Sequence, residues 1–334
     1  MPAGISRARH EILEVEGVQL RLSIARPLSK QPPMYALYIL DPEPELFALA
    51  TTHLFGRYGY EADGAADASL MRHCAVIGLG HDPATAFGCT DDAWDVDKLR
   101  QLRRANFLND DGGFFRRALI EHAVPRAEAQ LGCALSAGRR ALIGCSLSSL
   151  LALRVLLRSE GAPTRSGGDG SVSRHPRTFG VLVLGSPSLQ LCPSLLDEAW
   201  HASNAAQGPA RSAKAETATA EAAQAEAVAA KAAKAHAAKV LCVWGEIERL
   251  EANGIPAAAK KMAPLLSKIG HEVAMIEVAG EDHGSLKPSI ISRGVGFAAL
   301  CWAASHSACP APPAPPVPSE ASNTSPEASN TSPV

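Results

Sequence analysis

Arg139-Arg140-Ala141-Leu142-Ile143-Gly144-Cys145-Ser146-Leu147-Ser148-Ser149-Leu150-Leu151-Ala152-Leu153 reads as a short apolar strand, a tight turn carrying a serine, and an apolar helix. A serine in such a turn stands at the tip of a sharp bend. Its hydroxyl is pushed out of the sheet, at the N-terminal end of a helix whose free backbone N–H groups can serve a developing oxyanion. Ser146 is therefore a candidate nucleophile for acyl transfer. The other reading is a core strand–helix junction whose serine caps the helix. The fifth position of the turn is Ser148 rather than the usual glycine; a small residue is needed there because the helix packs closely on the strand. Gly4-Ile5-Ser6 repeats the Gly-x-Ser pattern but has no strand and helix around it.

Outward from this stretch, short apolar runs recur. Met34 to Leu40, His73 to Leu79, Ala141 to Ile143, Phe179 to Leu184, Val240 to Trp244 and Val273 to Val278 predict strands buried on both faces of a parallel sheet. Val18, Leu20, Leu22 and Ile24 alternate with polar residues, which predicts a half-buried antiparallel strand. Helical spacing lies between the runs: Phe114 to Leu131, with Pro125 expected to kink it, Leu147 to Leu157, and Pro256 to Ile269. Alternating strands and helices predict a three-layer α/β fold. The expected organisation is one domain over 1–308, followed by a disordered tail over 309–334, Pro-rich and then repeating Glu-Ala-Ser-Asn-Thr-Ser-Pro. Ala205 to Ala238 is mostly alanine with almost no large apolar side chain. It cannot bury a face, and it reads as a solvated helix or disordered insertion.

A net charge of −2 over 334 residues gives no reason to expect nucleic acid or an anionic membrane as partner. No apolar stretch of about 18 residues is present to span a bilayer. Met1 to Gly17 is charged and lacks the apolar core of a signal peptide. None of the eight cysteines forms a Cys-x-x-Cys pair. A reduced, cytoplasmic setting is expected. No nucleotide-binding glycine turn, phosphate loop or metal-ligand cluster is found, so neither a cofactor nor a metal is expected. Oligomeric state is not readable.

The order of polar residues after the predicted strands carries the chemistry. Gly245-Glu246-Ile247-Glu248 follows one strand, and Ala279-Gly280-Glu281-Asp282-His283-Gly284-Ser285 follows the next. Ser146, Glu248 and His283 thus run in the nucleophile–acid–base order of one triad class, each just past a strand's C-terminal end. His283 could take the serine proton and return it to a leaving alkoxide; Glu248 could fix the imidazole tautomer. Glu246 is a rival for the acid.

In these residues the sequence resembles the esterase branch of the α/β-hydrolases, which includes esterase D-like enzymes, mycolyltransferases and siderophore esterases. The matching pieces, in order, are Leu37-Tyr38-Ile39-Leu40-Asp41, Val76-Ile77-Gly78-Leu79-Gly80, Arg103-Arg104-Ala105-Asn106-Phe107-Leu108, Gly113-Phe114-Phe115, the Ser146 turn, Gly185-Ser186-Pro187-Ser188-Leu189, and the Glu248 and His283 loops. The resemblance implies a three-layer α/β-hydrolase fold with a mostly parallel central sheet and helices on both faces. It implies a serine carboxylic-ester hydrolase working through an acyl-enzyme, on siderophore-type or other small polar esters. By resemblance, Ser146 is the nucleophile, His283 the base and Glu248 the acid. The oxyanion hole would use the backbone N–H groups of Leu147 and Glu43. Arg104 would meet an acidic or phenolate group of the substrate, or else be a solvated arginine of a charged helix. Departures are Pro42 in place of glycine, Ser148 in place of glycine, and Asn106 where relatives often carry aspartate. Two alternatives are a catalytically weak binding or scaffold protein on the same fold, and an acyltransferase.

Overall fold

A computed structural model describes residues 8–27, 29, 31–42, 44–60, 70–82, 96–108, 113–159, 177–207, 237–250 and 254–307. Its elements in chain order are β1 (Ala8–Val15), β2 (Val18–Ala25), β3 (Tyr35–Leu40), α1 (Pro44–Tyr60), β4 (Cys74–His81), α2 (Val96–Phe107), α3 (Gly113–Arg117), α4 (Val124–Leu131), β5 (Arg140–Cys145), α5 (Leu147–Ser159), β6 (Val181–Gly185), α6 (Ser194–Gln207), β7 (Lys239–Gly245), α7 (Ile255–Ile269), β8 (Glu272–Val278) and α8 (Lys287–Ser307). The predicted tail over 309–334 and residues 208–236 of the Ala-rich segment lie outside the described residues.

The strands form one sheet in the order β1-β2-β4-β3-β5-β6-β7-β8. β1 and β2 pair antiparallel, as do β2 and β4, and every other pairing is parallel. Alternating side chains of the central strands feed two cores. Leu37, Ile39, Ile143, Val183 and Val243 pack under α1 and α8. Tyr38, Leu40, Leu142, Leu182 and Cys242 pack under α3 to α7. Burial on both faces is why β3, β4, β6 and β7 read as continuous apolar runs. The fold is a three-layer α/β sandwich with a mostly parallel sheet.

The sheet differs from the sequence expectation at its two margins. β1 has no counterpart in the apolar runs. It is an edge strand that exposes Arg9, His10, Ile12 and Glu14, and it joins β2 through Glu16 and Gly17, both at positive φ (50° and 77°). β8, expected to be buried on both faces, is the opposite edge, with Met275 49% exposed. Pro125 does not kink a simple helix. Ala118–Ala123 opens into a π-turn between α3 and α4, and the Val124 N–H reaches back to the Leu119 carbonyl. That wider turn accommodates a proline ring that would otherwise clash with the carbonyl four residues earlier.

One polar cluster is built into the core. Glu128 of α4 takes a forked contact from Arg140 (2.6 and 2.9 Å), the Leu135 N–H at 3.0 Å and the Tyr38 hydroxyl at 3.3 Å. It fastens the start of β5 to the helix layer. Removing the carboxylate would leave a largely buried guanidinium without its partner. Glu128→Ala should destabilise the fold by about 3 kcal/mol, read from urea melts.

Candidate active site

Four adjacent strands deliver the site. β5 ends at Ser146, β6 at Ser186-Pro187-Ser188, β7 leads into Glu248, and β8 into His283. In a parallel sheet all four C-terminal ends lie on one edge. Ser146 sits at φ 59°, a left-handed conformation that lifts its side chain off the strand line. Its N–H donates to the Gly185 carbonyl at 2.8 Å, and its carbonyl accepts from the Ser149 N–H at 3.1 Å. The helix folds back so closely that a Cβ on Gly144 would stand 2.5 Å from the Ser148 carbonyl oxygen. Ser148 fits at the position expected to carry glycine because its hydroxyl turns inward. It accepts from the Cys145 N–H at 2.9 Å and stands 2.9 Å from the Cys145 carbonyl.

Ser146 Oγ lies 2.9 Å from His283 Nε2, and His283 Nδ1 lies 2.6 Å from Glu248 Oε1. Glu248 is fully buried, and its Oε2 accepts from the Ser186 hydroxyl at 3.0 Å and the Gly245 N–H at 2.9 Å. Burial pushes its carboxyl pKa up, but the His283 contact and these two donors outweigh it and hold the group below the usual glutamate value. Glu246, the rival acid, turns away, to Arg249 at 2.6 Å and the Gly280 N–H at 3.1 Å. The histidine loop crosses the end of β7 at close range: a Cβ on Gly245 would collide with the Glu281 carbonyl oxygen, and the Ile247 N–H donates to that same oxygen at 3.0 Å. Backbone contacts thus lock the Glu248 and His283 loops together.

Leu147 opens α5, so no intrahelical carbonyl stands one turn before its N–H, and the residue lines the site cavity. Glu43, the other expected oxyanion donor, lies outside the described residues. The turn before it is held tightly. Asp41 (φ 49°) pairs with Arg103 and with His81 Nδ1 at 3.1 Å, and Asn106 Nδ2 lies 2.7 Å from His81 Nε2. An amide donating to Nε2 leaves the Nδ1 proton for Asp41, so asparagine suits this position. Burial opposes ionisation of Asp41, yet Arg103 and His81 prevail and hold its carboxyl far below the usual aspartate range. Arg104, the expected substrate contact, is exposed on α2 at the cavity.

The cavity holds about 460 Å³ and opens over Ser146 and His283, between Leu46, Leu191, Ile255 and Ile290. Among the described residues, no three His, Cys, Asp or Glu side chains are grouped to hold a metal ion, and no helix is long and apolar enough to cross a membrane. Sequence reasoning missed the supporting polar set of Asp41, His81, Arg103, Ser186 and Ser188. Asp41, Arg103, Ser186 and Ser188 lie in segments that the resemblance matched, but no role was read for them there.

The lowered carboxyls fix the sign of the acid response. Asp41 and Glu248 titrate lower when folded, so their stabilisation is complete above the unfolded values of about 4 and fades as pH falls through the folded ones. Tm should hold to about pH 5 and drop below it. Asp41→Asn should lower Tm at pH 7, by stranding Arg103, and flatten that acid drop.

No family model matches this chain, and no curated protein matches it. Solved structures do. The chain is similar to siderophore hydrolase EstB from Aspergillus nidulans, at 16% identity over 88% of this chain and 95% of that one, with a TM-score of 0.58. It is similar to the BES protein from Bacillus cereus, also at 16% identity, over 88% of this chain and 95% of that one, with a TM-score of 0.54. Siderophore hydrolase EstA from Aspergillus nidulans matches at 15% identity over 90% of this chain and 97% of that one, with a TM-score of 0.51. At these identities the likeness establishes the fold.

Proposed function

We propose that this chain, an α/β-hydrolase in fold, is a serine carboxylic-ester hydrolase that works through an acyl-enzyme. The observation that carries the reading is the hydrogen-bonded chain from Ser146 Oγ through His283 to the buried Glu248. A serine hydroxyl is a poor nucleophile near neutrality; His283 removes its proton as it attacks the ester carbonyl. The carbonyl oxygen takes up negative charge beside the Leu147 N–H, with the Glu43 N–H proposed as its second donor. His283 then protonates the departing alkoxide, and water repeats the sequence to free the acid. Glu248 keeps the ring in the tautomer with a bare Nε2 and stabilises it when charged.

The substrate proposed is a siderophore-type or other small polar ester; two of the similar structures are described as siderophore hydrolases. Arg104 would receive an acidic or phenolate group at the cavity rim. The setting proposed is the cytoplasm, with no cofactor. A fluorophosphonate probe tests the core of the proposal: one adduct per chain, mapped by peptide mass to Ser146, is expected, together with turnover of p-nitrophenyl esters. A chain that takes no label and turns over no ester would leave a binding protein on a hydrolase fold. Product analysis with added alcohols separates hydrolysis from acyl transfer.

A further inference from the structure

Proton counting around Ser146 leaves one hydroxyl to be assigned. Glu248 faces His283 Nδ1 with Oε1 and accepts two donors on Oε2. An ionised carboxylate only accepts, so Nδ1 carries the ring proton and Nε2 is bare. Ser146 therefore donates its single proton to Nε2. Its remaining neighbour, Ser188 Oγ at 3.3 Å, can only be a donor to it. Ser188 is placed for this. It is 3% exposed, lines the cavity, and opens the short turn Leu189–Leu191 without its hydroxyl capping that turn.

We infer that Ser188 is a catalytic residue that donates a hydrogen bond to the nucleophile oxygen and serves the second half of the reaction. The inference rests on Ser146 being the nucleophile. In acylation this bond also ties up a lone pair of the neutral attacking hydroxyl, and the loss of nucleophilicity offsets what the donor contributes as charge builds on Oγ. In deacylation the same oxygen is the leaving group. Water adds to the acyl carbon and passes a proton to His283 Nε2. The bond from the acyl carbon to Ser146 Oγ then breaks, its electron pair moves onto Oγ, and His283 returns the proton there. A hydroxyl already aimed at Oγ stabilises that charge as it builds. Ser186, two residues earlier, fastens Glu248, so one tripeptide supports both ends of the proton chain.

The two half-reactions can be read separately. Fluorophosphonate labelling reports attack by Ser146 alone, whereas turnover of p-nitrophenyl acetate includes release of the acyl group. Ser188→Ala should label within about twofold of the wild-type rate, and kcat should fall about tenfold, the size of one neutral hydrogen bond. Acetyl-enzyme should accumulate in the intact mass spectrum, with a larger nitrophenol burst. Ser188→Thr, which keeps a hydroxyl, should recover part of kcat. An unchanged kcat, or labelling and kcat falling together, would overturn the assignment. A wild-type chain that takes no label would remove the hydrolase reading itself, a result distinct from either.

Discussion

Ser146→Ala should lower kcat on any ester the protein cleaves by about 10⁶-fold, the order seen when a triad serine is removed from a hydrolase. What remains, roughly 10³-fold over the uncatalysed reaction, would come from binding and from the oxyanion donors alone. The fold should survive. The left-handed turn at position 146 is held by backbone bonds, to the Gly185 carbonyl and from the Ser149 N–H, that an alanine also makes. The check is kcat on a p-nitrophenyl ester panel together with a melting curve: rate lost, Tm little moved. Wild-type and variant hydrolysing at equal rates would mean that the chemistry lies elsewhere.

Glu248→Gln should cost about 10⁴-fold in kcat, although the two side chains have nearly the same shape. The reason lies in the two donors that meet on Oε2, the Ser186 hydroxyl and the Gly245 N–H. An amide nitrogen placed there would face two hydrogens, so the glutamine oxygen takes that position and the NH2 group points at His283 Nδ1. Nδ1 must then accept, and the ring proton moves to Nε2. An imidazole protonated at Nε2 cannot take the proton of Ser146. Fluorophosphonate labelling should slow in step with turnover, because the defect precedes the attack. A variant that retained more than about a tenth of the wild-type rate would assign the acid role to another group.

The sheet and the proton chain were largely legible in the sequence, for a physical reason. Strands buried on both faces must be apolar throughout, so β3 to β7 announce themselves, and residues just past their ends share one edge whatever the details. Ser146, His283 and a carboxylate, Glu246 or Glu248, could be lined up by position alone. What escaped was whatever depends on neighbours distant in the chain. β1 pairs through its backbone and shows charge outward, so it leaves no apolar run. Ser186 and Ser188 look like turn residues until strand order sets β6 between β5 and β7. Asp41, His81, Arg103 and Asn106 come from three separate segments, and no spacing rule connects them. The choice between Glu246 and Glu248 needed the path of the Glu281 backbone across Gly245.

β7 begins at Lys239, on the rim of the sheet opposite the proton chain, and α6 runs back toward that rim to end at Gln207. The described chain therefore leaves and re-enters the fold, on either side of the Ala-rich segment, at the rim away from Ser146, Glu248 and His283. That rim is a natural port for grafting: a tag, a fluorescent reporter or a second module placed between these two anchor points would join the fold at the end of the sheet away from Ser146, Glu248 and His283.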